Sequence, residues 1–493
     1  MIDVNRKDAI TATLRSAFSI FSGVCDPVPG LNFTMATLLL KYISDNGVSS
    51  QHQLLTDEMK ADHALRFIVP KGAAFNTLFA DRYQPDIGSR LDMALNSLEA
   101  ANSELKDVFL GISFNDTVLG STEQKNRTLG QLLGTFKTET LDFRPCHGGA
   151  EAIAAACLSL LRHASEAIGK RGGEFFTPPE ISQLIARIMQ PKGGESVFDP
   201  CCGSGLLLTI CSQLATGSRQ HRGCLLHGQE KNGSAMALAR LCMILNGETN
   251  HQLRWGDSLR DPKFVNFVGQ LEKFDIVVSS PPFSLRDWGR EDAERDPYER
   301  YKWGTPPRAF GDYAFISHMI ESLKPEVGRM TVVVSLGALF RGGAEREIRE
   351  QLISENLIDA VIALPSKLLT HTSIQVALLV IRKDKADDNI LFIDASSSYQ
   401  QGKGYNVLRP EDVDLISQSY HAREKIDQYA QLATLTDIAA NHYNLSVARY
   451  VNITEAENEV DITALRSERA DLKVELADLE SKLGRLLAEL SHG

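Results

Sequence analysis

Val197-Phe198-Asp199-Pro200-Cys201-Cys202-Gly203-Ser204-Gly205 carries the strongest structural signal in the chain. A hydrophobic strand ends in a carboxylate, Pro200 stops the ladder, and Gly203 and Gly205 let the backbone turn tightly beside a ligand before a helix starts near Leu206. Further acids end the next two strands. Cys224–Glu230 closes with Glu230, placed to accept hydrogen bonds from both hydroxyls of a ribose, and Leu253–Asp257 closes with Asp257, placed to accept an adenine amino proton. A dehydrogenase also uses an acid after its second strand, but it wants a third glycine for its pyrophosphate. Asp199 ahead of the glycines repels a phosphate and suits an amino acid's ammonium. The cofactor expected is therefore adenosyl with an amino-acid end.

Outward from this stretch, short apolar runs alternate with amphipathic segments from Gly172 onward. The candidate strands are Ser196–Asp199, Cys224–Glu230, His251–Trp255, Phe274–Ser279, Arg329–Ser335, Ile358–Leu364 and Ile374–Ile381. Such alternation predicts a parallel α/β sheet with covering helices. Residues 1–165 carry helical spacings instead, as in Leu91, Leu95, Leu98 and Leu105 and in Ala152–Leu161, and are expected to be a helical N-terminal domain. The expected catalytic domain is 166–410, followed by a C-terminal segment, 411–493. Arg286–Pro307, rich in charge, Gly and Pro, reads as an insertion too polar for core, a surface or substrate-facing loop.

The second informative motif is Ser280-Pro281-Pro282-Phe283, directly after a strand. An exocyclic amino nitrogen is a poor nucleophile because its lone pair is delocalised into the ring. Acceptors that hold both N–H groups out of the ring plane restore that lone pair. The Pro281 carbonyl and the Ser280 hydroxyl are candidate acceptors, Pro282 completes the turn, and Phe283 offers a face that replaces lost base stacking. No nucleophile, metal or strong base is required, since positioning carries the rate. In that order, the two motifs point to methylation of an amino group on a DNA base with S-adenosylmethionine as donor. Upstream, Gly172-Gly-Glu-Phe-Phe-Thr-Pro-Pro-Glu180 places two glycines and two aromatics before a helix start. Thr177 and Glu180 have the spacing of a capping box, and Pro178 the first helical position.

Composition bounds the rest. The chain has 493 residues, 43% hydrophobic and 23% charged, enough for two or three globular domains. No apolar run approaches a membrane span, and the N-terminus lacks a signal-like apolar core, so a cytoplasmic location is expected. Eight cysteines without CxxC pairs indicate neither a disulfide framework nor a zinc ribbon, and His221, Cys224 and His227 read as a strand residue and loop histidines rather than a metal site. A net charge of −11 is awkward for a chain that holds DNA alone, because phosphate neutralisation supplies much of the affinity. It implies a local basic strip or a partner that supplies DNA contacts. Ile462, Leu465, Leu472, Leu476, Leu479, Leu483, Leu486 and Leu490 form a heptad stripe that predicts a coiled-coil helix.

The motifs taken in order resemble the gamma-order amino-methyltransferases, and specifically the modification subunits of type I restriction–modification systems. Gly-Glu-Phe-Phe-Thr-Pro, Asp-Pro-x-Cys-Gly-Ser-Gly, Gly-Gln-Glu, Gly-Asp-Ser-Leu and x-Pro-Pro-Phe carry the likeness. It continues through Lys302–Pro307, Asp312–Phe315, Leu339–Glu345, Leu391–Ala395, Tyr443–Leu445 and Arg449–Val451. The resemblance implies a Rossmann-like, seven-stranded S-adenosylmethionine-dependent methyltransferase sheet. It also implies partners: DNA, a specificity subunit that recognises the sequence, a second copy of this chain, and a restriction subunit. Carried over by position, Phe175, Phe176, Thr177 and Pro178 border the methionine end of the cofactor. Asp199, Gly203, Ser204 and Gly205 line its amino-acid part, Glu230 takes the ribose and Asp257 the adenine. The family's adenine enzymes have Asn where this chain has Ser280, and Ser-Pro-Pro with an aromatic resembles cytosine enzymes. The usual Pro-Asn of the next strand is Ser335-Leu336. Adenine N6 is expected as the target, with cytosine N4 and a non-catalytic DNA-bridging scaffold subunit as the alternatives.

Overall fold

The alternating pattern after Gly172 forms a sheet of nine strands. In chain order they are β1 (Ser196–Asp199), β2 (Leu225–Glu230), β3 (His251–Trp255), β4 (Ile276–Ser279), β5 (Arg329–Ser335), β6 (Ile358–Ala363), β7 (Val376–Arg382), β8 (Ile390–Asp394) and β9 (Ala430–Ala433). This computed structural model describes residues 4–49, 67–144, 149–168, 176–215, 223–248, 250–370, 372–402 and 404–451, together with 469, 472, 473, 476, 479 and 482.

The sheet order is β3-β2-β1-β4-β5-β7-β6-β8-β9. β7 runs antiparallel to β5 and β6, and β9 antiparallel to β8, while the other pairings are parallel. Chain direction across the sheet reverses between β1 and β4. Open α/β sheets bind ligands at the strand C-terminal ends beside such a reversal, so the topology alone marks the ends at Asp199 and Ser279. Seven strands were expected and nine are found. All four of Ile390, Leu391, Phe392 and Ile393 are buried, so β8 is apolar on both faces and extends the sheet beyond β6. The short antiparallel β9 then covers the edge that β8 exposes.

Both sheet faces are buried. One face packs beneath α6 (Pro179–Met189), α7 (Leu206–Ala215) and α8 (Gly233–Leu245), through a core that includes Leu184, Leu208, Leu241, Val278 and Leu378. The other carries Phe198, Val277, Val332 and Leu379 against α9 (Asp312–Glu321) and α10 (Ala344–Ser354). The chain before the sheet is helical, with α1 (Val4–Ser19), α2 (Pro27–Asn46), α3 (Ile87–Ala101), α4 (Thr122–Phe136) and α5 (Gly149–Ile168) as its longer helices. Leu91, Leu95 and Leu98 are buried as their spacing predicts. These helices share the first core, and the Asn32 amide donates to the Ser234 carbonyl at the start of α8 at 3.0 Å.

Met1–Val451 form one compact unit and Asn452–Gly493 another. In the second unit, Leu472, Leu476 and Leu479 are helical and more than half exposed. The remaining heptad positions, Ile462, Leu465, Leu483, Leu486 and Leu490, lie outside the described residues.

Candidate active site

The nine-residue stretch quoted at the start supplies the floor of the site. Asp199 ends β1, and its Oδ1 accepts from the Cys201 amide at 2.9 Å and from the Ser279 hydroxyl at 2.7 Å. Gly203 (φ +52°) and Gly205 (φ +75°) take left-handed conformations that other residues adopt only with strain. A Cβ at Gly205 would also lie 2.9 Å from Met243 Cε on α8, so the loop packs closely on that helix. The Gly203 amide donates to Glu230 Oε2 at 3.0 Å, and the Asn232 amide to Oε1 at 2.7 Å. The second acid is thus held against the loop that follows the first.

Asp257 follows β3. Its Oδ2 accepts from Lys231 at 2.8 Å, and its Oδ1 from the Leu259 and Arg260 amides at 3.0 and 3.2 Å. The ends of β1, β2 and β3 therefore carry one connected row: Asp199, Gly203 with Glu230, then Lys231 with Asp257. The Ser258 hydroxyl donates to the Pro200 carbonyl at 2.5 Å and ties the third loop back to the first.

Burial sets the electrostatics. Asp199 is 2% exposed. Loss of hydration pushes its carboxyl up to about 7, with Glu230 adding in the same direction against the hydrogen bonds from Ser279 and Cys201. Glu230 is also raised, again by burial. At Asp257 burial opposes ionisation, but Lys231 and the two amides outweigh it and hold the group below its ordinary value. A buried carboxyl half-protonated near neutrality is a group short of a cation. Cys201 and Cys202 are raised well above the ordinary thiol value, first by burial and then by Asp199 and Glu230, so neither is a thiolate nucleophile.

The target-side turn follows β4 directly. Pro281 is buried, Pro282 exposed, and Ser280 and Phe283 half-buried, with Phe283 against the helix-covered core. The backbone then bends through Ser284 (φ +51°), whose amide donates to Asp312 Oδ1 at 3.3 Å. Asp312 in turn accepts from Arg341 at 2.8 Å, and Arg341 lies over the Phe310 ring at 4.2 Å. The fully buried Arg349 donates to the Ala338 and Arg341 carbonyls at 3.1 and 2.7 Å, which fixes the segment after β5.

The insertion Arg286–Pro307 departs from its reading as a loop too polar for core. Trp288, Ala293 and Trp303 are buried, and Trp288 packs with Leu259, Ala314 and Phe315. Its buried charge pair is internal: Arg300 pairs with Asp296 at 2.6 Å and donates to the Leu259 carbonyl at 2.9 Å, while Glu291 and Lys302 pair outside the segment, with Arg260 and Glu321. A polar count misses core that is built from paired charges and two tryptophans.

The capping box at Thr177 is corrected. Helix α6 begins one residue later, with Pro178 as its N-cap and Pro179 in its first turn, and makes no side-chain cap bond. Glu180 instead pairs with Arg162 on the preceding helix, an ion pair that draws it away from the helix end. Phe176, Thr177 and Pro178 line a mainly apolar cavity of about 530 Å³, open mouth included, with Leu206, Leu368 and Thr370. The three acids do not line it. Phe175 lies outside the described residues, and so does His221 of the cysteine–histidine cluster. Among the described residues no cluster of His, Cys, Asp or Glu is arranged to hold a metal ion, and no helix is long and apolar enough to cross a membrane.

Sequence reasoning missed two side chains. Ser279 counted only as a strand residue, although a hydroxyl ending the apolar run Ile276-Val277-Val278 is a signal. Lys231 gives no such signal, because it meets Asp257 only when β2 and β3 lie side by side.

A mostly parallel sheet reversed beside β1, acids at or just after three successive strand ends and a Ser-Pro-Pro-Phe turn on the next strand define a Rossmann-like methyltransferase for amino groups. The model for the family described as N-6 DNA methylase matches residues 152–459, and the chain belongs to that family. It is an S-adenosylmethionine-dependent DNA methyltransferase, and adenine N6 as the target fits that family. It is 31% identical over 490 residues to the methylase subunit of a type I restriction enzyme of Mycoplasma pneumoniae, covering 92% of this chain and 89% of that one. It is 29% identical to the corresponding subunit from Haemophilus influenzae, over 81% of this chain and 93% of that one. A type I methyltransferase subunit from Streptococcus thermophilus superposes with a TM-score of 0.77 at 25% identity, over 90% of this chain and all of that one.

Proposed function

We propose that this chain is the modification subunit of a type I restriction–modification system, and that the residues at the ends of β1 to β4 bind donor and base in fixed roles. The observation that carries the reading is the connected row of acids facing the target turn across the β1–β4 reversal, with Ser279 joining the two sides. S-adenosylmethionine, when bound, supplies a methyl group activated on a sulfonium. The chain's own residues suit that molecule. Asp199 needs a cation and receives the amino-acid ammonium, with Gly203, Ser204 and Gly205 lining that end. Glu230 keeps lone pairs free for ribose hydroxyls, and Asp257 does so for the adenine amino group. Phe175, Phe176, Thr177 and Pro178 border the methionine end.

On the acceptor side, the Pro281 carbonyl and the Ser280 hydroxyl take the two N–H groups of the target base, Pro282 shapes the turn, and Phe283 stacks on the ring. Extruding a base costs a few kcal/mol, which this stacking offsets. Ser280 keeps cytosine N4 as the second reading of the turn. Incubating the assembled complex with tritiated donor and DNA, followed by nucleoside analysis, separates them: label in N6-methyladenine supports the assignment, and label in N4-methylcytosine overturns it.

The partners inferred are DNA, a specificity subunit that reads the sequence, a second copy of this chain and a restriction subunit, all in the cytoplasm. The acidic net charge supports delegation of DNA recognition to another chain. The exposed Leu472, Leu476 and Leu479 support a partner helix at the C-terminal segment. Placing Glu at both Leu476 and Leu479 is expected to leave donor binding intact and to abolish co-purification with the specificity subunit. Normal assembly of that variant would remove the segment from the interface.

A further inference from the structure

Two strand residues of the sheet, Thr331 and Ser335, have buried side-chain hydroxyls without a hydrogen-bond partner. Thr331 lies mid-strand under the helices. Ser335 ends β5, at the edge of the sheet where ligands bind, and is 6% exposed. It is also the N-cap of the short helix Leu336–Phe340, yet its hydroxyl makes no cap bond. At that position a serine oxygen ordinarily accepts a hydrogen bond from a backbone N–H of the first turn. A buried hydroxyl without a protein partner costs free energy, and a ligand group that pairs with it recovers that cost.

Its direction follows from the pleat. β4 and β5 are parallel neighbours with Ser279 opposite Val332, so Ser280 is in register with Val333. Alternation puts Val278, Ser280, Val333 and Ser335 on one sheet face, and Val278 and Val333 belong to the same helix-side core against which Phe283 packs. Ser335 therefore lies on the target turn's side of the strand ends, separated by β4 from the donor acids of β1. The two N–H groups of the target already have acceptors in Ser280 and the Pro281 carbonyl. The ring nitrogen beside the amino group is an acceptor and needs a donor, which neither a carbonyl nor a carboxylate supplies.

We propose that the Ser335 hydroxyl donates a hydrogen bond to the ring nitrogen, N1, of the flipped adenine, and so fixes the base in the pocket. The inference rests on the base-binding role given above to Ser280–Phe283. Ser335 is a substrate contact distinct from the donor site, so its loss touches base placement alone.

The test combines Ser335→Ala with DNA carrying 1-deazaadenine at the target position, assayed in the assembled complex. On ordinary DNA the variant is expected to lose ~10-fold or more in kcat/KM, the scale of one positioned hydrogen bond. Its melting temperature should be unchanged or higher, because the deleted hydroxyl was buried and unpaired, and the donor-induced thermal shift should persist. On 1-deazaadenine DNA wild type and variant should be equally slow. Equal rates on ordinary DNA would overturn the proposal, as would a melting temperature that falls with the rate, or a variant defect of the same size on both DNAs. Absence of adenine methylation by the wild-type complex would overturn the base-binding reading itself, a result separable from any ratio between the two proteins.

Discussion

Asp199→Asn is expected to cut by half or more the thermal shift that S-adenosylmethionine produces in the wild-type chain. With donor at 100 times its dissociation constant, binding stabilises the folded state by about 2.7 kcal/mol, enough to read as a shift of several degrees. Asn keeps the shape of Asp199 but removes the charge that answers the ammonium, a charge-assisted bond of roughly 1.5–3 kcal/mol. The pH dependence has a definite sign. Burial raises the folded-state carboxyl from its ordinary value near 3.8 to about 7. The stability this group contributes is therefore fully present below the unfolded value and is lost as pH rises through 7. In the ligand-free protein the ionised group is a liability at pH 8, which a bound cation relieves. The donor-induced shift should accordingly be larger at pH 8 than at pH 6. In Asp199→Asn the ligand-free protein should be no less stable than wild type at pH 8. A variant that kept the full shift would place the ammonium elsewhere.

Phe283→Ala should do the opposite: retain donor binding and lose methyl transfer by ~10²-fold or more. Stacking on an extruded base is worth ~1–3 kcal/mol, and a base left loose also loses its alignment with the acceptors of the turn. Thermal shift with donor and single-turnover transfer, measured on one preparation, separate the two functions. Phe283 is half-buried against the core, so the variant's own melting temperature is the control. Ser280→Ala is expected to fall in the same range, since it removes one positioned partner at the reacting nitrogen. Undiminished transfer by both variants would remove the Ser-Pro-Pro-Phe turn from the chemistry.

These contrasts show which parts of the site were legible in the sequence. Asp199, the glycines and the Ser280–Phe283 turn each sit in a local motif, because a strand end followed by a tight turn needs special residues at adjacent positions. Glu230 and Asp257 were legible for a related reason, as Glu230 ends its strand and Asp257 closely follows its own. Where competition between partners decides, the sequence misled. Glu180 has the spacing of a capping residue but is taken by Arg162, and the polar run Arg286–Pro307 buries Trp288, Trp303 and the Arg300–Asp296 pair. The strand count differed because β8 and β9 are selected by an edge left exposed by β6, a demand that arises only once the sheet exists.

The α/β alternation, seven of the nine strands of the large sheet, the row of acids near the strand ends and the class of chemistry are written in the chain, because periodicity and turn geometry are properties of neighbouring residues. Folding is what joins Ser279 to Asp199 across β1 and β4, sets Lys231 against Asp257, and buries the Ser335 hydroxyl without a partner. Those facts depend on strand register and on which groups are left over after packing. Hydrogen bonding between residues 80 apart, as for Ser279 and Asp199, leaves no periodic trace in the chain.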